Sequence, residues 1–186
     1  TRAGAPGFGR PQRAAERLAA ARRLAPDRPD VANNLGLAQW RAGQRQAAVR
    51  TLIQGVQAHP GDTRLARNLG HILDQGAASE RRGDGIRALA GALQQQERLA
   101  LYTQLGNLLR QDGRPGEAVS LFQRGIARKG PHWRLLRGLG DSLEAAGQPK
   151  QALATYRRAL ERLPDGRGQV AEALSARVAA LANRGN

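Results

Sequence analysis

A leucine-glycine pair recurs along this chain at a spacing that leaves few folds open. It stands at Leu35-Gly36 in "NNLGLAQWRAGQ", at Leu69-Gly70 in "RNLGHILDQG", at Leu105-Gly106 in "TQLGNLLRQDG" and at Leu139-Gly140 in "RGLGDSLEAAG". The successive leucines lie 34, 36 and 34 residues apart. A fixed period of this size means stacked units, each too small to bury its own apolar face without a neighbour.

Each unit reads as two helices. Leu69 and Leu73, Leu105 and Leu109, Leu139 and Leu143 stand one helical turn apart and mark the first. Ala48, Leu52 and Val56, then Ala118, Phe122 and Ile126, then Ala152, Tyr156 and Leu160 step by four and mark the apolar face of the second. Gly36, Gly70, Gly106 and Gly140 fall inside the first helix, where glycine costs about 1 kcal/mol relative to alanine. Close helix contact offsets that cost: with Ala48, Ala118 and Ala152 expected opposite, and Gly55, Gly125 and Ala159 further along, the axes approach the short end of the usual range of about 8–10 Å. Gly43, Gly113 and Gly147 follow the first helix at a constant offset, as a left-handed stop requires. Pro60 and Pro164 close the second, because proline has no N–H to continue it.

These segments resemble the tetratricopeptide repeat, whose pattern is an aromatic, then Leu-Gly, a bulky residue, Ala, an aromatic, Ala and Pro. The resemblance implies an all-α fold, a right-handed α-solenoid of antiparallel helix pairs. It covers four units, residues 29–62, 63–98, 99–132 and 133–166. Ala32, Ala66 and Leu136 replace the first aromatic, which only Tyr102 retains, and Gln39 takes a position that is apolar in the other units. In the second unit "QGAASERRGDG" lengthens the inter-helix loop, and the second helix resumes at Ile86, Leu89, Ala92 and Leu93. Upstream, Ala14, Leu18, Ala21 and Pro26 repeat the second-helix pattern, so residues 11–28 read as an unpaired helix after a flexible Gly- and Pro-rich segment, residues 1–10. Downstream, Val170, Leu174, Val178 and Leu181 give residues 167–186 the pattern of a capping helix and tail.

Composition narrows the chemistry. The chain has no cysteine, which removes disulfides and thiolate metal sites and leaves the redox compartment open. No apolar run approaches the roughly 20 residues of a membrane span, and a chain opening on Thr1 reads as an excised domain or a processed form. The formal charge is +15 over 186 residues, nearly all of it arginine, since Lys129 and Lys150 are the only lysines. GC-rich codons account for arginine in place of lysine. They do not account for 30 basic residues against 15 acidic ones, an excess that attracts anionic partners and weakens as salt screens it.

Catalytic motifs do not emerge. His59, His71 and His132 are scattered without metal-ligand spacing, and His71 with Asp74 reads as a polar pair on an exposed helix face. "GDGIRALAG" lacks the spacing and preceding strand of a phosphate cradle, and no serine sits in a nucleophile elbow. The expectation is a non-enzymatic chain with no cofactor and no metal.

The resemblance implies instead that the first helices line a concave groove that holds a peptide or partner segment. Carried over by position, the groove residues are Asn33, Leu37, Trp40 and Arg41 in the first unit, and Arg64, Arg67, Asn68, His71 and Asp74 in the second. The third supplies Thr103, Gln104, Asn107 and Arg110, and the fourth Arg134, Arg137, Asp141 and Glu144. Arg64 with Arg67, and Arg134 with Arg137, stand three apart and offer forked donors to carboxylate or phosphate, although a charged helix face is often only solvated. Asn68 and Asn107 suit a ligand's backbone, Trp40 a ligand platform, and Trp133 packing on the preceding unit. Some relatives grip a terminal carboxylate with a fixed lysine, asparagine and arginine set, and that full set is absent. The reading is a scaffold for an acidic protein or peptide segment in a larger bacterial assembly, periplasmic or cytoplasmic, such as an envelope machine exporting polysaccharide. Two alternatives stay open: a module for an anionic polymer, nucleic acid or acidic polysaccharide, and an accessory domain of a larger enzyme. Aromatics at 3% are too few to stack several bases, which argues against single-stranded nucleic acid. No membrane insertion is expected, and exposed terminal helices offer a surface for self-association.

Overall fold

The computed structural model describes residues 10–76 and 79–183. Among them the chain forms α1 (Arg10–Leu24), α2 (Pro29–Arg41), α3 (Arg45–Ala58), α4 (Thr63–Asp74), α5 (Arg82–Gln95), α6 (Leu99–Gln111), α7 (Pro115–Lys129), α8 (Trp133–Ala145), α9 (Pro149–Glu161) and α10 (Gly168–Asn183), with a 3-10 turn at Ser79–Arg81 and no strand. The flexible start expected over residues 1–10 lies outside the described residues except for Arg10, which already belongs to α1. Contacts divide the chain into two compact units, Thr1–Leu101 and Tyr102–Asn186, and the division falls in the first turn of α6.

Helix boundaries follow local chemistry. Pro29, Pro115 and Pro149 open α2, α7 and α9, where a missing N–H costs nothing. Asp62 caps α4 by accepting from the N–H groups of Arg64 and Leu65 at 2.9 and 3.4 Å. Gly43, Gly113 and Gly147 have φ of 77°, 75° and 73°. The N–H of each following residue, Gln44, Arg114 and Gln148, reaches back to the carbonyl of Gln39, Leu109 and Leu143 at 2.9 Å. One left-handed stop is thus used three times. In the second pair α5 begins at Arg82, a turn earlier than its apolar residues suggest.

The helical glycines act differently from the expectation that alanines would face them. A Cβ on Gly36 would lie 2.7 Å from Leu52 Cγ, one on Gly140 would lie 2.5 Å from the Tyr156 ring, and one on Gly106 would strike the tip of the Phe122 ring. The glycine is a slot for the largest side chain of the partner helix, and Leu52, Phe122 and Tyr156 are all fully buried. Gly55 does the same for Leu65 of the following helix, and Gly125 packs edge-on to Tyr102 and Leu135. In the second pair the device is inverted, with Gly85 of α5 receiving Leu73 of α4. Gln39 keeps its otherwise apolar position because Thr51 Oγ1 donates to its Oε1 at 2.8 Å.

In the first unit α1 packs on α2, leaving Ala14 and Leu18 half-buried, whereas Ala48 and Leu52 at the matching positions of α3 are sealed. In the second unit α10 packs on α9 and buries Leu174 and Leu181.

Candidate partner-binding site

The second unit holds an open groove of about 470 Å³ lined by Arg110 of α6, by Arg137, Asp141, Glu144 and Ala145 of α8, by Tyr156 of α9, and by Ala173, Leu174 and Arg177 of α10. Four of the residues expected in a binding groove, Arg110, Arg137, Asp141 and Glu144, meet here. Sequence reading missed Tyr156 and Arg177. Tyr156 was legible as a core residue, yet it alone in the series Leu52, Phe122, Tyr156 carries a polar tip.

That tip organises the site. The Tyr156 ring sits in the Gly140 slot, and its hydroxyl emerges beside the next residue, donating to Asp141 Oδ1 at 2.7 Å with Glu144 Oε2 at 3.2 Å. Burial, reinforced by the charges of Asp141 and Glu144, pushes the phenol far above its usual range, so it stays a donor. Glu144 Oε1 also accepts from Arg177 at 3.0 Å, while Arg137 Nε stays 3.9 Å from Asp141 Oδ2, beyond hydrogen-bond reach. Arg110 Nε is shielded from solvent with no hydrogen-bond partner. Three guanidinium groups therefore surround two carboxylates, and Arg110 and Arg137 retain donor capacity for an incoming anion.

Other expected groove residues are differently placed. Arg64 closes its fork on Asp62, at 2.6 and 3.2 Å, so it does not act jointly with the exposed Arg67. This pairing holds the Asp62 carboxyl below its ordinary value. Arg134 lies over the Trp133 ring, 4.8 Å from its centroid, and Trp133 in turn stacks on His132 at 5.9 Å. Arg134 is therefore drawn to the start of its own helix, away from Arg137. In the first unit Asn68 Nδ2 donates to Asn33 Oδ1 at 2.6 Å, which joins α4 to α2 through side chains expected to hold a ligand. Asn33 is only 8% exposed. Trp40 is half-buried with Arg45 over its ring at 5.5 Å, and His71 pairs with Gln75 at 2.9 Å. Arg41 is exposed, and Thr103 and Asn107 are half-buried on α6.

Among the described residues no group of three or more His, Asp or Glu is placed to hold a metal ion, and no helix is long and apolar enough to cross a membrane.

Comparison with known proteins bears on the fold and the family. Two family models described as tetratricopeptide repeat match residues 7–72 and 103–167. Cellulose synthase operon protein C of Komagataeibacter xylinus is 32% identical over 149 residues, covering 79% of this chain. Its counterpart in Komagataeibacter sucrofermentans is 31% identical over the same length. The chain spans only 11% of the length of either relative. Among solved structures, the tetratricopeptide protein TTC0263 of Thermus thermophilus superposes with a TM-score of 0.62 at 20% identity, covering 94% of this chain and 91% of its own. MamA AMB-1 gives 0.57 at 22% identity, covering 82% of this chain and 89% of its own. These last two similarities show the fold alone; the repeat-model matches, which together span most of the chain, establish that it belongs to the tetratricopeptide repeat family.

Proposed function

We propose that this chain is a non-enzymatic scaffold whose second unit binds an acidic segment of a partner protein. The observation that carries the reading is the convergence of Arg110, Arg137 and Arg177 on one groove, where only Arg177 is hydrogen-bonded to a carboxylate, that of Glu144, and Arg110 and Arg137 keep donors to spare. The similarity to cellulose synthase operon protein C supports a place in a bacterial envelope assembly that handles polysaccharide. The test is fluorescence anisotropy with labelled, amidated peptides rich in aspartate and glutamate. Binding is expected to weaken about tenfold or more when Arg110 and Arg137 are both changed to alanine, and to fall with added salt. Arg134→Ala, outside the groove, should leave it unchanged. Equal affinity of the double variant and the parent would refute the reading.

A second reading, anionic-polymer binding, has its own support in where the charge lies. Helices α1, α3, α5, α7 and α9 carry net charges of +4, +2, +1, +2 and +2, whereas α2, α4, α6, α8 and α10 carry 0, +1, +1, 0 and 0. Arg157 and Arg158 of α9 are exposed and have no carboxylate partner among the described residues. Changing both to glutamate should abolish binding of alginate or duplex DNA if this reading holds, and should leave peptide binding in the groove intact. Polymer binding would also show a steep log-log dependence on salt.

A further inference from the structure

We infer that the groove of the second unit selects a dipolar segment of extended chain, with an acidic side chain between Arg110 and Arg137 and a basic side chain two residues away against Asp141 and Glu144. The inference rests on the reading of this groove as a peptide site and adds the chemistry of what it takes.

The argument starts from the Gly140 slot. In each repeat with a glycine slot on its first helix, the residues one and four places after the glycine lie on the same helical face. They are Leu37 and Trp40 after Gly36, Asn107 and Arg110 after Gly106, and Asp141 and Glu144 after Gly140. Only the fourth repeat puts two acids there, and only the fourth fills its slot with a tyrosine. Tyr156 has one proton and two carboxylate oxygens within reach, at 2.7 and 3.2 Å. It therefore fixes the position of both acids while neutralising neither. Arg177 satisfies one oxygen of Glu144, and Asp141 Oδ2 is left with Arg137 at 3.9 Å. An acceptor thus remains open beside open donors on Arg110 and Arg137.

A ligand of one sign meets opposition in such a groove. A purely acidic segment is drawn to Arg110 and Arg137 but approaches two anchored carboxylates, and a purely basic one approaches three guanidinium groups. An extended chain carries residues i and i+2 on one side, about 7 Å apart, so a single strand delivers one charge of each sign to neighbouring seats.

The test uses the 186-residue chain and four N-acetylated, C-amidated heptapeptides: one aspartate, one lysine, both two positions apart, or neither. Isothermal titration at low salt should rank the dipolar peptide about tenfold tighter than the aspartate-only peptide. Tyr156→Phe keeps the ring in its slot and removes the hydroxyl. In that variant the preference should vanish, with the dipolar peptide falling to the aspartate-only affinity and the latter unchanged, while circular dichroism confirms a folded chain. Equal binding of the dipolar and aspartate-only peptides to the parent, or a preference that survives in Tyr156→Phe, would overturn the inference and leave the acidic-segment reading standing. If no charged peptide binds better than the neutral one, the reading of the groove as a peptide site falls as well.

Discussion

Replacing Gly140 by alanine tests the packing argument and the site together. In an exposed helix interior the change is favourable by about 1 kcal/mol, because glycine loses more backbone freedom on folding. Here the new methyl carbon would lie 2.5 Å from Tyr156 Cε1 and 2.7 Å from Cδ1, well inside van der Waals contact. The ring cannot swing clear, since Tyr156 is fully buried and its hydroxyl is tied to Asp141 at 2.7 Å. Relief requires the helices to part, and overpacking of this kind costs about 1–3 kcal/mol. Steric cost exceeds propensity gain, and the net effect should be a loss of about 1–2 kcal/mol, seen as a fall in Tm of about 2–4 °C for each kcal/mol. Gly91→Ala is the matched control: it is also helical, and nothing lies within 4 Å of the added carbon, so it should stabilise by about 0.5–1 kcal/mol. Urea and thermal unfolding followed by circular dichroism give both numbers. Combining Gly140→Ala with Tyr156→Leu should recover part of the loss, because a shorter side chain yields the contested space. If Gly140→Ala raised the Tm as Gly91→Ala does, the slot would be no slot, and the account of Tyr156 built on it would fail.

Three further outcomes are expected. Gly43→Ala should lower stability by about 1–2 kcal/mol in the same unfolding assay, because φ of 77° belongs to the left-handed region where a Cβ is strained. Asp62→Ala should cost about 1 kcal/mol through loss of the α4 cap, whereas Asp62→Asn keeps an N-cap oxygen and should cost less. With its carboxyl held below 3.8 chiefly by the Arg64 hydrogen bond, Asp62 contributes stability that is present above that value and lost as pH falls through its folded pKa. His132 Nδ1 accepts from the Arg134 N–H at 3.1 Å, and burial, followed by the nearby Arg134 charge, lowers its pKa from 6.5. The unfolded state binds the proton more readily, so this contribution is complete above pH 6.5 and disappears as pH falls through the folded value; His132→Asn should flatten that part of the stability profile.

The fold was legible because it depends on spacing, and spacing is preserved in sequence. Leucines one turn apart, a glycine at a constant offset and a proline beyond the second helix report helix, stop and stacking without knowledge of any contact. Side-chain destinations were less legible, for a reason visible in the arginines. A guanidinium on a long flexible stem takes whichever carboxylate or ring lies within its radius, and helical periodicity does not rank those choices. Arg64 goes to the cap of its own helix and Arg134 to the adjacent Trp133 ring, while Arg137 and Arg110 line the groove. Asn33 and Asn68 face each other because successive first helices bring residues 35 positions apart together.

Tyr156 shows why core and site were hard to separate by residue type. Aromatic rings at a second-helix core position report burial, and the ring of Tyr156 is as buried as that of Phe122. What a ring does beyond burial depends on how far it reaches, and reach is set by the partner: with no Cβ at position 140, the ring passes through the helix contact and delivers its hydroxyl to the groove side. The same absence of a side chain that lets two helices close also lets a core residue govern the charges of a surface. On the proposed reading of this groove, packing and recognition in the fourth repeat are coupled through one glycine, and a change there should alter stability and peptide preference in the same variant. In the first repeat, where Leu52 fills the slot and the uncharged Leu37 and Trp40 follow the glycine, the equivalent change at Gly36 should alter stability alone.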